Sequence, residues 1–164
     1  VPFIAAGPGI PAGRRVPGNV YLLDLLATVC DFTGVQPPST NEGISMKPVL
    51  TGKTETLREV LYGAYSGGAK PGIRCVRRGD WKLIVYKAPE LNLHHTQLFN
   101  LQQNPHELLA EHHQPAVSTL LPTPPTAQQI NLADQPEYAT QLQQMQQLLK
   151  AEMQRLNDPA LLEF

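Results

Sequence analysis

The chain has 164 residues with 13 basic and 14 acidic side chains, a formal net charge of -1. Hydrophobic residues make up 41%, enough for a domain-sized core, while 16 prolines and 12 glycines point to many loops. So even a charge balance gives no global electrostatic case for nucleic acid. The longest apolar stretch, Val20 to Phe32, is broken by Asp24 and Asp31, so no segment qualifies as a membrane span.

The opening run from Val1 to Ala6, closed by Gly7-Pro8-Gly9, reads as a buried strand ending in a turn. With no initiating Met, no basic leader and no obvious sheet for that strand, the chain reads as a piece of something longer. Leu22, Leu23, Leu26, Val29, Cys30 and Thr33 then recur at helical spacing. This predicts a core-packing helix that starts behind Asn19, or behind Asp24 as N-cap, and stops at Gly34 before Pro37-Pro38. Met46 to Leu50 can add one further turn. Glu59 to Ser66 reads as a strand, followed by the Gly-rich loop Ser66 to Gly72. Ile73 to Arg77 and Trp81 to Tyr86 flank Arg78-Gly79-Asp80 as a hairpin, and Thr96 to Leu101 supplies another strand. Short connections favour antiparallel pairing. His106 to Glu111 fits a helical turn. A Pro-, Thr- and Gln-rich linker runs from Gln114 to Asn131. The final helix is marked by an Asp134/Glu137 capping box, with Pro136 in its first turn and Tyr138, Leu142, Met145, Leu149 and Leu156 on one face.

Chemistry-bearing residues are few. Cys30 sits on the apolar face of the first helix with no neighbouring base, and burial explains it. Cys75 lies on a strand; Arg74, Arg77 and Arg78 would acidify it if it were exposed. Five histidines occur as His94-His95, His106 and His112-His113. His106-Glu107 opens like a zincin helix, but position 110 is Ala, so the second ligand is missing. Adjacent histidines diverge by about 100° on a helix, so neither pair alone makes a two-ligand site. A hairpin turn accounts for Arg78-Gly79-Asp80. The Gly-rich loop has no Lys-Ser/Thr ending and opens no helix, so it is not a phosphate loop. Residue chemistry alone assigns no enzyme.

Five segments in order nevertheless resemble the C-terminal portion of the sulfatase family, the formylglycine-dependent sulfuric ester hydrolases of the alkaline-phosphatase-like superfamily. Val1-Pro2-Phe3-Ile4 through Gly7-Pro8-Gly9-Ile10-Pro11-Ala12-Gly13-Arg14 is similar to that family's apolar strand and turn. Leu23-Asp24-Leu25-Leu26-Ala27-Thr28 is similar to its DLxPT helix, with Ala27 for proline. Glu42-Gly43-Ile44-Ser45-Met46-Lys47-Pro48-Val49-Leu50-Thr51-Gly52 resembles its "DG-S-L-P-L-L-x-G", with Glu42 for Asp. Arg74 to Ile84 resembles "RxVRxGDWKLI", and Gln97 to Leu108 resembles "ELFDLxxDPxEL". Together they cover about residues 1 to 110.

The resemblance implies an α/β fold, here an α+β fragment. Residues 1-58 would be the last strand and helix of a large α/β catalytic domain, and 59-113 a small subdomain with a short antiparallel sheet. A linker, 114-133, and an amphipathic C-terminal helix, 134-164, would complete it. It further implies an arylsulfatase, or a carbohydrate or choline sulfatase, with calcium and formylglycine in the full-length family member and a sulfate-ester substrate. Neither Cys fits the family's Cys/Ser-x-Pro/Ala-x-Arg nucleophile motif, and the family's metal ligands lie upstream of the segment matching Val1. No catalytic or metal residue therefore carries over; none of the cofactors would be bound by this chain, and its partner would be the missing N-terminal catalytic domain. Tyr65, Lys70, His94 and His95 are the candidate substrate-rim residues. Family members are often periplasmic or secreted, and this chain shows no signal peptide. The alternatives are a phosphoester or phosphonate hydrolase fragment of the same superfamily, and a non-catalytic interaction module.

Overall fold

The computed structural model describes residues 3–66, 72–88, 92–112, 114–120 and 124–160. The chain divides into two compact units, Val1–Glu59 and Val60–Phe164.

The first unit holds helices α1 (Asp24–Thr33) and α2 (Lys47–Leu50) within extended chain. α1 begins at Asp24 itself, so Asp24 is its first residue rather than its N-cap. Its carboxylate is instead drawn inward by groups distant in sequence. It is fully buried, accepts from the Ile44 N–H at 2.9 Å and the Tyr21 N–H at 2.8 Å, and is gripped by both terminal nitrogens of Arg58. The Arg58 guanidinium also stacks 4.7 Å from the Tyr21 ring centre. Burial alone would raise the Asp24 carboxyl, but Arg58 and the two backbone donors outweigh it and hold it below its usual range. Thr28 repeats the device: its hydroxyl donates to the Asp24 carbonyl at 2.6 Å and accepts from the Met46 N–H at 2.8 Å. Segment 43–46 is thereby stitched along the helix. Gly43 is required there because a Cβ would run into the Leu23 backbone. Gly34, at φ 72°, ends α1 in the left-handed region, as the sequence predicts. Residues 3–6 form no strand: among the described residues of this unit there is no strand for them to pair with.

The second unit is a four-stranded antiparallel sheet in chain order: β1 (Val60–Ser66), β2 (Gly72–Arg78), β3 (Trp81–Ala88) and β4 (Leu93–Asn100). The β2–β3 connection is Gly79-Asp80, with Gly79 at φ 57°, the positive value that a two-residue primed turn asks of its first position. Side-chain alternation then gives the sheet two faces. On one, Val76, Leu83, Val85 and Leu98 are fully buried. Helix α4 (Ala139–Arg155) packs Met145, Leu149 and Met153 onto them, each such burial being worth about 1.5–3 kcal/mol. Trp81 and Tyr138 meet at the edge of this layer, ring centres 5.9 Å apart.

The capping box does not form. Asp134 accepts from the Asn131 amide at 3.0 Å, and residues Pro136–Tyr138 make a tight 3-10 turn, delaying α4 to Ala139. Asn131 has the more valuable task, because β4 is an edge strand. Its side chain accepts from the Leu98 N–H at 3.0 Å and donates to the Thr96 carbonyl at 2.8 Å, so one amide stands in for a neighbouring strand. Residues 106–111 hold no α-helical turn; only Ala110–His112 closes as a 3-10 turn, because Asn104 bonds both backbone groups of Leu108. Within the linker, Pro115–Ser118 forms one short helix, α3.

α4 ends in a Schellman arrangement: Asn157 takes φ 52°, and the Asp158 N–H reaches the Met153 carbonyl at 2.9 Å. That reversal brings Asp158 back onto the sheet. It takes two bonds from Arg74, at 2.7 and 3.0 Å, and one from the Tyr62 hydroxyl. The Arg74 bonds, aided by Tyr62 and against burial, lower the Asp158 carboxyl from 3.8 to about 2. Burial and Asp158 raise the Tyr62 phenol, and the bond to Asp158 raises Arg74.

Two outcomes are expected. Between pH 3.8 and 2 the unfolded chain binds the Asp158 proton more readily than the folded one does. The stability contributed by the clasp, about 2 kcal/mol, is therefore whole above pH 4 or so and is lost as pH falls through about 2. Asp158→Asn should remove that acid limb and, by leaving the Arg74 cation buried and unpaired, cost about 3–5 kcal/mol in urea melts at neutral pH. Gly43→Ala should loosen the first unit alone, visible as faster amide exchange at Ile44 and Met46 while β2 and β3 stay protected.

Candidate functional site

The register of the sheet decides where the candidate residues lie. Tyr65 pairs with Ile73, Ile73 with Tyr86, and Tyr86 with His95, so these four form one row across all four strands. Three strand spacings separate its ends, about 14 Å. Tyr65 is 61% exposed at one end. His95 is half-buried at the other, with its Nε2 covered and, among the described residues, without a hydrogen-bond partner. His94, one residue earlier, points to the opposite face of the sheet and is exposed. Tyr65 and His95 therefore share a face, and His94 does not join them. Lys70, with residues 67–71 of the Gly-rich loop, lies outside the described residues.

The next row is Gly63, Cys75, Ile84 and Gln97. Cys75 leans toward Gly63, where a Cβ would stand only 2.8 Å from its sulfur. Burial pushes the Cys75 thiol up, which removes the activated-thiolate reading of its arginine neighbours. Gln97 is buried and accepts the Tyr86 hydroxyl at 3.2 Å.

A strap formed by residues 104–112 belongs to the same face. Asn104 closes it through Leu108, Gln129 donates to Asn104 at 3.1 Å, and the Ala110 N–H reaches the Gln129 carbonyl at 3.0 Å. Lys82 of β3 holds Glu107 at 2.5 Å, although Glu107 sits at φ 55°, an uncommon backbone for a side-chain-bearing residue. The strap carries His112 to a ring-centre distance of 6.0 Å from His95. This pairing escaped sequence reasoning, which weighed each histidine pair only by its own spacing. A Pro-containing loop offers no period from which to read the return of position 112 over position 95.

In the first unit the noteworthy surface is α1. Its buried residues are Asp24, Ala27, Thr28 and Cys30, whereas Leu22, Leu25, Leu26, Val29 and Phe32 are exposed, Leu22 at 85%. Of the stripe that the sequence predicts as core-packing, Leu22, Leu23, Leu26 and Val29 are exposed and Cys30 is buried, because Asp24 and Thr28 must face the 43–46 segment to satisfy its N–H groups. Leu22, Leu23, Leu25 and Leu26 with Pro38 line an apolar groove of about 620 Å³.

Among the described residues, no three or more His, Cys, Asp or Glu side chains come together as a metal cage. Cys30 is followed by Asp31-Phe32 and Cys75 by Val76-Arg77, and burial raises the Cys75 thiol above its ordinary value. This donor set does not fit a formylglycine or calcium centre. Nor, among the described residues, is any helix long and apolar enough to cross a membrane.

Comparison with known proteins places this scaffold among the sulfatases. The chain is 30% identical over 116 residues to Arylsulfatase K of Rattus norvegicus, an alignment covering 66% of this chain and 20% of that protein. It is 31% identical over 115 residues to Delta 4,5-hexuronate-2-O-sulfatase of Bacteroides thetaiotaomicron, covering 65% of the chain and 23% of the relative. An uncharacterized protein of Haemophilus influenzae matches at 30% over 141 residues, covering 85% and 59% respectively. The chain thus spans about a fifth of the length of the arylsulfatases it matches. The family described as N-sulphoglucosamine sulphohydrolase, C-terminal, matches residues 1–130, and the chain belongs to it, as the C-terminal portion of a sulfatase.

Proposed function

We propose that this chain completes a sulfuric ester hydrolase whose nucleophile and calcium ligands reside on an N-terminal catalytic domain, and that the chain alone does not hydrolyse sulfate esters. The observation that carries the reading is the inside-out α1: buried Asp24 and Thr28, exposed Leu22, Leu25, Leu26 and Val29. An apolar helix face of this kind marks an interaction surface. The matching partner in this reading is an upstream α/β domain packed on that face, in keeping with relatives of which this chain covers only 20% and 23%. Sulfate esters are the substrate class favoured over phosphoesters, because the named relatives are sulfatases. The substrate-rim role of Tyr65, Lys70, His94 and His95 belongs to this proposal. Since Tyr65 and His94 point to opposite faces, a substrate approaching the outer face would meet Tyr65 and not His94.

The test is co-expression with the upstream domain of a sulfatase lacking its own C-terminal portion, assayed on an aryl sulfate and on the corresponding aryl phosphate. The expected result is aryl sulfate hydrolysis only when both parts are present, lost when Leu26→Asp and Val29→Asp are introduced together. Hydrolysis by this chain alone, indifference to the double substitution, or a preference for phosphate would overturn the reading. The same substitutions should reduce self-association and hydrophobic-dye binding of the isolated chain.

A further inference from the structure

We propose that His95 and His112 form a two-imidazole binding site for a borderline transition cation of the Zn²⁺ type on the outer face of the sheet. The inference goes beyond the sulfatase reading and does not depend on it. Its starting point is the Nε2 of His95, which is covered from solvent and has no hydrogen-bond partner among the described residues. Buried polar atoms in folded proteins are nearly always paired, so an orphan nitrogen calls for a ligand. Its cross-strand neighbour, Tyr86, is engaged elsewhere. The Tyr86 ring lies 6.0 Å away on the cross-strand partner residue, but its hydroxyl donates to Gln97.

What does approach is a second imidazole. The His112 ring centre is 6.0 Å from that of His95, with the planes inclined at 50°. A tetrahedral ion bonded to two imidazoles at about 2.0–2.1 Å holds their centres roughly 5 Å apart, so about 1 Å of closure suffices. His112 can supply it, because it is exposed while His95 is fixed within β4. The strap that presents His112 is anchored independently, by the Lys82–Glu107 ion pair and by Asn104. That pair also offsets the charge of Lys82 on the same face. Imidazole nitrogens select Zn²⁺, Ni²⁺ or Cu²⁺, whereas Ca²⁺ and Mg²⁺ require oxygen ligands. With two protein ligands, the remaining positions belong to water or to an anionic ligand. This is the arrangement of an open site, not of a closed structural one.

The experiment is calorimetric titration of the intact chain with Zn²⁺, repeated with Ca²⁺, alongside NMR of the histidine ring protons. The expected result is saturable Zn²⁺ binding at one ion per chain, reversed by a chelator and not reproduced by Ca²⁺, with the His95 and His112 ring signals moving together. His112→Gln and His95→Gln should each weaken binding at least about tenfold, and His94→Gln should leave it unchanged. The proposal falls if Zn²⁺ does not saturate. It also falls if His112→Gln binds like the parent, or if the His95 ring signal stays put while that of His112 moves, which would assign any binding to His112 without His95. Should His95→Gln fail to fold, the ring signals of the parent chain and the exposed-site His112→Gln variant decide the matter between them.

Discussion

The register of the four-stranded sheet is the constraint on which the second unit rests. Gly79-Asp80 joins β2 to β3 with Arg78 opposite Trp81, and every later pairing follows from that alignment. A slip of one residue would send Val76, Leu83 and Val85 to the outer face and bring Arg77, Lys82 and Ile84 under α4. The same register places Tyr65, Ile73, Tyr86 and His95 in one row and parts His94 from His95. Core and candidate site are thus two sides of a single alignment. α4, stopped by Asn157 and latched through Asp158 to Arg74, closes the inner side and leaves the outer side to the strap.

Both units use a buried carboxylate gripped by an arginine to join parts of the chain that local propensity would not bring together. Asp24 and Arg58 are 34 residues apart, Arg74 and Asp158 are 84. Such pairs gain little over well-packed apolar residues, but removing one partner strands a charge in a dry place. Their value lies in specificity. Asp24 can receive the Ile44 and Tyr21 N–H groups only when α1 turns its polar side inward, and that choice exposes its leucines. The apolar surface is therefore a consequence of how the first unit satisfies its backbone. It is also the surface that the proposed upstream domain would cover.

Much of the fold was legible in the sequence because the relevant signals are local. The four strands, the Gly79-Asp80 turn, the Gly34 stop and the final helix fell close to their expected places. The start of that helix was not legible: Asp134 had a stronger claim on it from Asn131, a residue needed at the β4 edge. The candidate site was legible only in part. Tyr65 and His95 were singled out, but their shared row follows from three pairings that no single strand encodes.

By itself, the sequence determined the elements and the kinship. Turn glycines, alternation, helical spacing and five ordered motifs all act over a few residues or survive as a linear pattern, and they identify a sulfatase C-terminal portion. Only the tertiary structure decided which side of α1 faces inward, which carboxylates meet Arg58 and Arg74, and that His112 returns over His95. The physical reason is that each of these depends on chain closure between distant residues. Buried N–H groups and charges must find partners in space, and their demands override the hydrophobic pattern where the two conflict.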